Sequence, residues 1–201
     1  SLRLCGEREA MNTKLLKSVT NYLLNSVHTK YLLLSESAAI AQIGEVVINA
    51  LKRGNKVLLM GNGGSAADAQ HIAAELVGSF HKPGRKALPA IALCTNTSNL
   101  TAIGNDFGFE NVFSRQVEGL VRKGDVVIGI STSGNSPNVL KAVKAARQRG
   151  AITVGFTGLK GDRLKKATHL CLVAPSAFTP HIQECHITAG HIICDLIDRA
   201  F

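Results

Sequence analysis

From Lys56 onward, short apolar runs alternate with helix-like segments, and no other feature of the chain constrains its fold as much. The runs are Val57–Met60, Pro89–Cys94, Val126–Ile130, Ile152–Phe156 and His169–Val173. Segments of helical character fall between most of them, over 66–77, 112–121, 138–148 and 164–167, with a last helix over 180–200. Strands that are apolar at every residue are buried on both faces. The order therefore predicts an α/β fold, a doubly wound parallel sheet of about five strands with helices on both sides. Ahead of it, Leu15, Leu16, Val19, Leu23 and Val27 recur at helical spacing, and so do Ile40, Ile43, Val47 and Leu51. Two N-terminal helices are expected over 11–53, parted at Ser35-Glu36-Ser37, before an α/β core over 54–201. Both stripes are wide enough to require a cover, either the sheet or a partner subunit. Residues 1–10 look unlike the rest of the chain and read as a tag or extension ahead of a single domain over 11–201.

Composition narrows the class of function. Hydrophobic residues make up 45% and charged residues 18% of the chain, as in a globular domain. No uninterrupted run of about 18 apolar residues is present, so no membrane partner is expected. The formal charge of +9 comes from scattered Lys and Arg, and aromatic residues are 4% with no Trp. That leaves no stacking platform for nucleic acid, and an attraction for anionic metabolites accounts for the charge as well. Five cysteines show no CxxC pair and no framework spacing, which predicts a reduced, cytoplasmic protein.

Two loops are built to meet an anion. The first apolar run ends in Gly61-Asn62-Gly63-Gly64-Ser65 and passes directly into a helix; the third ends in Ser131-Thr132-Ser133-Gly134-Asn135-Ser136, with Pro137 where a helix can begin. Small residues let a ligand approach the backbone, and N–H groups at a helix start, with serine hydroxyls, favour phosphate. Neither loop is a GxGxxG or Gly-Lys-Ser/Thr motif, which argues against dinucleotides and nucleoside triphosphates. A phosphate on a polyhydroxyl compound suits the pair better.

A second pattern lies just past the first loop. His71 and Glu75 are four apart, one turn apart on one helix face, and can bind a Zn²⁺- or Ni²⁺-like ion or simply bond to each other. On the last helix, Gln183 and His191 are eight apart, about 80° around the axis, and can converge from successive turns. Glu184 is an alternative carboxylate. His186 lies on a different face and reads as structural or exposed, and His28, His81, His169 and His181 have no partner that spacing identifies.

The segments 61–66, 68–71, Gly104-Asn105-Asp106, 131–136 and Ile182-Gln183-Glu184, with His186 and His191 after them, together resemble the sugar isomerase (SIS) domain proteins and, among these, the phosphoheptose isomerase family. The likeness runs from about Leu15 to Ile197, with the motifs in order. It implies a flavodoxin-like SIS fold and the interconversion of D-sedoheptulose 7-phosphate and D-glycero-D-manno-heptose 7-phosphate through an enediol. That reaction is the first step towards ADP-heptose for bacterial surface polysaccharide such as lipopolysaccharide. It implies a cytoplasmic homotetramer with active sites between subunits and one Zn²⁺ per subunit, held by His71, Glu75, Gln183 and His191. Glu75 would be the base and His191 the acid. Sugar and phosphate contacts would come from Asn62, Gly63, Gly64, Glu75, Asn105, Asp106, Ser131, Thr132, Ser133, Ser136 and Gln183.

One departure stands out. The family carries an arginine after the metal helix, where this chain reads Gly78-Ser79-Phe80. A cation among His81, Lys82 and Arg85 would have to replace it, or substrate preference has drifted. Two rival readings share the fold: a catalytically inactive SIS tetramer that binds the replication initiator protein, and a sugar-phosphate-sensing regulator. The presence of His71, Glu75, Gln183 and His191 argues for the enzyme.

Overall fold

The computed structural model describes the backbone of residues 2–201 and the side chains of residues 12–201. The expectation of a tag or extension over 1–10 lies outside the described side chains. The apolar runs form β1 (Val57–Gly61), β2 (Ala90–Ala92), β3 (Val126–Ile130), β4 (Ile152–Gly158) and β5 (Leu170–Ala174). Around them stand α1 (Leu2–Leu32), α2 (Ser37–Lys52), α3 (Gly64–Val77), α4 (Thr97–Phe107), α5 (Ser114–Leu120), α6 (Pro137–Gln148), α7 (Asp162–Ala167) and α8 (Thr179–Ala200). The expected break between the first two helices is a 3-10 turn, Leu33–Glu36.

All strands pair parallel in the order β2-β1-β3-β4-β5. Successive side chains of a strand point to opposite faces, and the sheet uses both. Val57 and Leu59 join the core under α2, α3 and α8, whereas Leu58 and Met60 join the one under α5, α6 and α7. Order 2-1-3-4-5 reverses direction between β1 and β3. Ligands of open α/β sheets bind beyond the strand ends at such a switch point. Both glycine- and serine-rich loops leave the sheet there.

Two expectations need amending. The segment 97–107 forms α4, which the apolar pattern does not announce because none of its residues is buried. Its start is marked instead by Asn96, whose side chain accepts from the Asn99 N–H at 2.9 Å as an N-cap. The second difference concerns 12–52, where an 18-residue window reaches a mean hydropathy of 1.4, long and apolar enough by those measures to cross a membrane. In the fold, much of that hydropathy belongs to α2, whose Ile40, Ile43, Val47 and Leu51 are buried against the sheet.

Candidate active site

The two loops are tied together by side-chain amides. Asn62 and Asn138 exchange two hydrogen bonds, Nδ2 to Oδ1, of 3.0 and 2.9 Å. This reciprocal pair joins the end of β1 to the start of α6. Gly63 has φ +54° and Gly134 φ +64°, backbone states that suit glycine. A Cβ on Gly134 would also lie 2.3 Å from Gly161 Cα. The Ser131 hydroxyl pairs with Ser136 at 2.9 Å and reaches Ser133 at 3.5 Å. α3 and α6 thus begin side by side, and the N-terminal ends of both helices, where the helix dipole favours an anion, face the gap. A cavity of about 330 Å³ opens there, lined by Asn62, Phe109, Glu110, Ser136, Pro137 and Asn138. Of its lining, Phe109, Glu110 and Asn138 carry no sequence signal of the kind that marks the loops.

Helices α3 and α8 meet on the other side of the first loop, and a glycine lets them do so. A Cβ on Gly190 would fall 2.6 Å from Ile72 Cδ1, so the helix surfaces touch where the next residue, His191, faces His71. Their Nε2 atoms lie 2.9 Å apart, one imidazole donating to the other, and His71 Nε2 is 3.3 Å from Glu75 Oε1. Gln183, two turns earlier on α8, donates from Nε2 to Asp68 Oδ1 at 2.6 Å. Asp68 is 4% exposed; burial raises its carboxyl above the ordinary carboxylate value, and the Gln183 hydrogen bond and the nearby His71 oppose that rise. Spacing singles out His71, Glu75, Gln183 and His191, and α3 and α8 bring all four to one face. His71 stands between Glu75 and His191, while Gln183 is tied to Asp68, three residues before His71 on the same helix. No group of three or more His, Cys, Asp or Glu around a single point is found among the described residues.

The remaining predicted positions divide. Glu184 turns towards α1, where Ser26 donates to its Oε2, Tyr22 to its Oε1 at 3.4 Å, and Lys30 pairs with it at 3.8 Å. Asn105 and Asp106 lie exposed near the end of α4, bonded to each other at 2.8 Å. Asp106 borders a separate cleft with Phe107 and Arg115, so within this chain the pair stands apart from the two loops. His186 is structural: it is buried, its Nε2–H donates to Thr157 O at 3.1 Å, and burial pushes its imidazole down to about 4. His169, His181 and His81 all have neighbours that spacing did not reveal. His169 Nδ1 accepts from the Thr153 N–H, His181 packs between Tyr22 and Phe178, and His81 packs on Phe80.

Arg85 is not a replacement phosphate cation. It is 8% exposed, ion-paired with Asp198 at 2.5 Å, and donates to the Glu75 and Leu76 carbonyls at 2.7 and 2.9 Å. That caps the C-terminus of α3, where a cation also suits the helix dipole. Asp198 in turn accepts from the His81 and Lys82 N–H groups. The loop so pinned carries Phe80, whose ring stacks on His191 with centroids 5.5 Å apart.

Comparison with known proteins agrees with this geometry. The sequence profile of the SIS domain family matches residues 24–158. The chain is similar to a phosphoheptose isomerase of Aquifex aeolicus, 58% identical over 160 residues that cover 80% of this chain and 83% of the relative. It is 62% identical to one of Nitratiruptor sp. over 156 residues, 78% of this chain and 83% of that protein. Among solved structures, a phosphoheptose isomerase of Neisseria gonorrhoeae superimposes with a TM-score of 0.87 at 43% identity, over 92% of this chain and 99% of that one.

Proposed function

The chain belongs to the SIS-domain phosphoheptose isomerases, and from that premise we propose that it converts D-sedoheptulose 7-phosphate to D-glycero-D-manno-heptose 7-phosphate, the first step towards ADP-heptose. The observation that carries the reading is the meeting of His191 with His71 at 2.9 Å, with Glu75 beside them, next to two loops suited to phosphate.

The sugar phosphate is held by the N–H groups and hydroxyls of Gly63, Gly64, Ser131, Thr132, Ser133 and Ser136, with Asn62 and Gln183 on the sugar. Asn105 and Asp106 belong to the same proposed set through the family likeness, and contact with substrate would require an approach that the single chain does not make. In the direction from ketose to aldose, Glu75 takes a proton from C1, giving a cis-enediol. The O1 hydroxyl gives up its proton as the C1 carbonyl forms, C2 gains one, and His191 supplies the proton that makes O2 a hydroxyl. No net oxidation occurs, because the carbonyl moves from C2 to C1 within one molecule.

The donor set suits one zinc ion per subunit. Two imidazole nitrogens already face each other, with a carboxylate oxygen 3.3 Å from the first, and a nitrogen-and-oxygen set of that kind accepts zinc among other divalent transition-metal ions. His71, Glu75, Gln183 and His191 would hold it. When bound, the ion supplies stabilisation for negative charge developing on the enediol oxygens. Glu75 then has two roles that compete, since a carboxylate bound to a cation is a weaker base. Glu75→Gln with full turnover would remove it from the mechanism.

A cytoplasmic homotetramer completes the reading. The uncovered apolar face of α1 supports the assembly, and the free thiols of Cys94, Cys171, Cys185 and Cys194 suit a reducing compartment. The test is an isomerase assay on sedoheptulose 7-phosphate with chelation and zinc restoration. Turnover that vanishes on chelation and returns with zinc supports substrate and metal together. No turnover by the zinc-loaded protein would defeat the enzyme reading.

A further inference from the structure

Gln183 has two chemically different ends. Its carbonyl oxygen can ligate a cation, whereas its NH₂ group can only donate hydrogen bonds. What decides between them is the partner on the far side of the amide. That partner is Asp68, 2.6 Å from Gln183 Nε2. An ionised carboxylate only accepts hydrogen bonds, so it binds the NH₂ end and leaves Oε1 as the free end. Asp68 is suited to hold this orientation. It sits on α3 three residues before His71, it is 4% exposed, and its Oδ2 is buried without a partner. A buried carboxylate with one oxygen unsatisfied is costly to keep for packing alone. The cost is understandable if the carboxylate sets the direction of a neighbouring ligand.

We propose that Asp68 is the positioning residue that fixes the amide of Gln183, so that Oε1 rather than the NH₂ group is offered to the metal held by His71, Glu75 and His191. The inference rests on the reading of Gln183 as a ligand. In metal sites of this kind the outer partner fixes the ligand's orientation, and its loss commonly costs about 10- to 100-fold in metal affinity.

The test is zinc affinity of the full-length chain, measured by competition with a chromophoric chelator, which needs no turnover. In Asp68→Asn the new amide can donate as well as accept, so Gln183 is no longer held one way round. Zinc affinity should fall by about 10- to 100-fold, with the circular dichroism spectrum unchanged. The double exchange Asp68→Asn/Gln183→Glu restores one donor facing one acceptor with the roles reversed, and it should recover most of the loss. Wild-type affinity in Asp68→Asn, alongside weakened zinc in Gln183→Ala, would overturn the inference and leave Gln183 as a ligand. Wild-type affinity in both variants would overturn the ligand reading itself. If Asp68→Asn does not fold, the double exchange decides: a folded, zinc-binding protein supports the positioning role, and an unfolded or zinc-poor one overturns it.

Discussion

Helices α1 and α2 are consecutive in sequence, and both carry an apolar stripe at helical spacing, yet their surroundings are opposite. On α2, Ile43 is 0% and Val47 1% exposed; on α1, Leu23 is 59% and Val27 65% exposed. α2 lies across the sheet, where strand and helix side chains interlock. α1 meets α8 where Ser26, Tyr22 and Lys30 reach Glu184 and the Tyr22 ring packs on Phe178 and His181, which leaves its apolar stripe uncovered. The difference teaches that periodicity records a face to be covered and does not say by what. One helix finds its cover within its own chain and the other does not; in the proposed tetramer a second copy would supply it.

The comparison can be broken most forcefully at Ile43. Ile43→Ala removes buried apolar volume and should lower unfolding free energy by about 2–5 kcal/mol in urea titrations; a near-zero loss would mean that α2 is no more anchored than α1.

A comparable effect, confined to acid, is expected from His186 on α8. Its folded value of about 4 lies below the unfolded imidazole value near 6.5, so the unfolded chain takes up the proton first. Stability is then complete above about pH 6.5 and declines as pH falls towards 4, by roughly 3 kcal/mol at most. His186→Leu should flatten that slope, and an unchanged pH profile would show that this histidine does not govern it.

A smaller loss belongs to the contact that closes the site. Gly190→Ala overpacks the approach of α8 to Ile72 and should cost about 1–3 kcal/mol. Turnover should fall further than stability implies, because His191 moves from His71; a variant with normal kcat would separate that contact from catalysis.

The smallest effect on the subunit fold is expected on α1. Leu23→Asp should leave the circular dichroism spectrum unchanged while sedimentation reports a smaller species. An assembly of unaltered size would deny α1 the role assigned to it.

Much of the fold was legible in the sequence, for reasons that particular residues make plain. Each of the five strands is recognisable as a short, mainly apolar run. The edge strand β2 is shorter than its run 89–94, pairing with β1 at Ala90, Ile91 and Ala92. The two loops stood out because glycine, serine and proline mark strand-to-helix turns. Helix α4 did not, because TSNLTAIGNDF buries nothing and reads as loop.

Local spacing alone therefore determined the α/β alternation, the phosphate-suited loops and the placing of His71 and Glu75 on one helix face. Tertiary structure decided which of several candidates joined them. It brought Gln183 and His191 to α3, turned Glu184 towards α1, buried His186, and sealed Arg85 against Asp198. The physical reason is that periodicity within a helix depends on backbone geometry common to all helices. The meeting of α3 with α8 depends on how closely two surfaces can approach, and residues far from the chemistry, such as Gly190, set that distance.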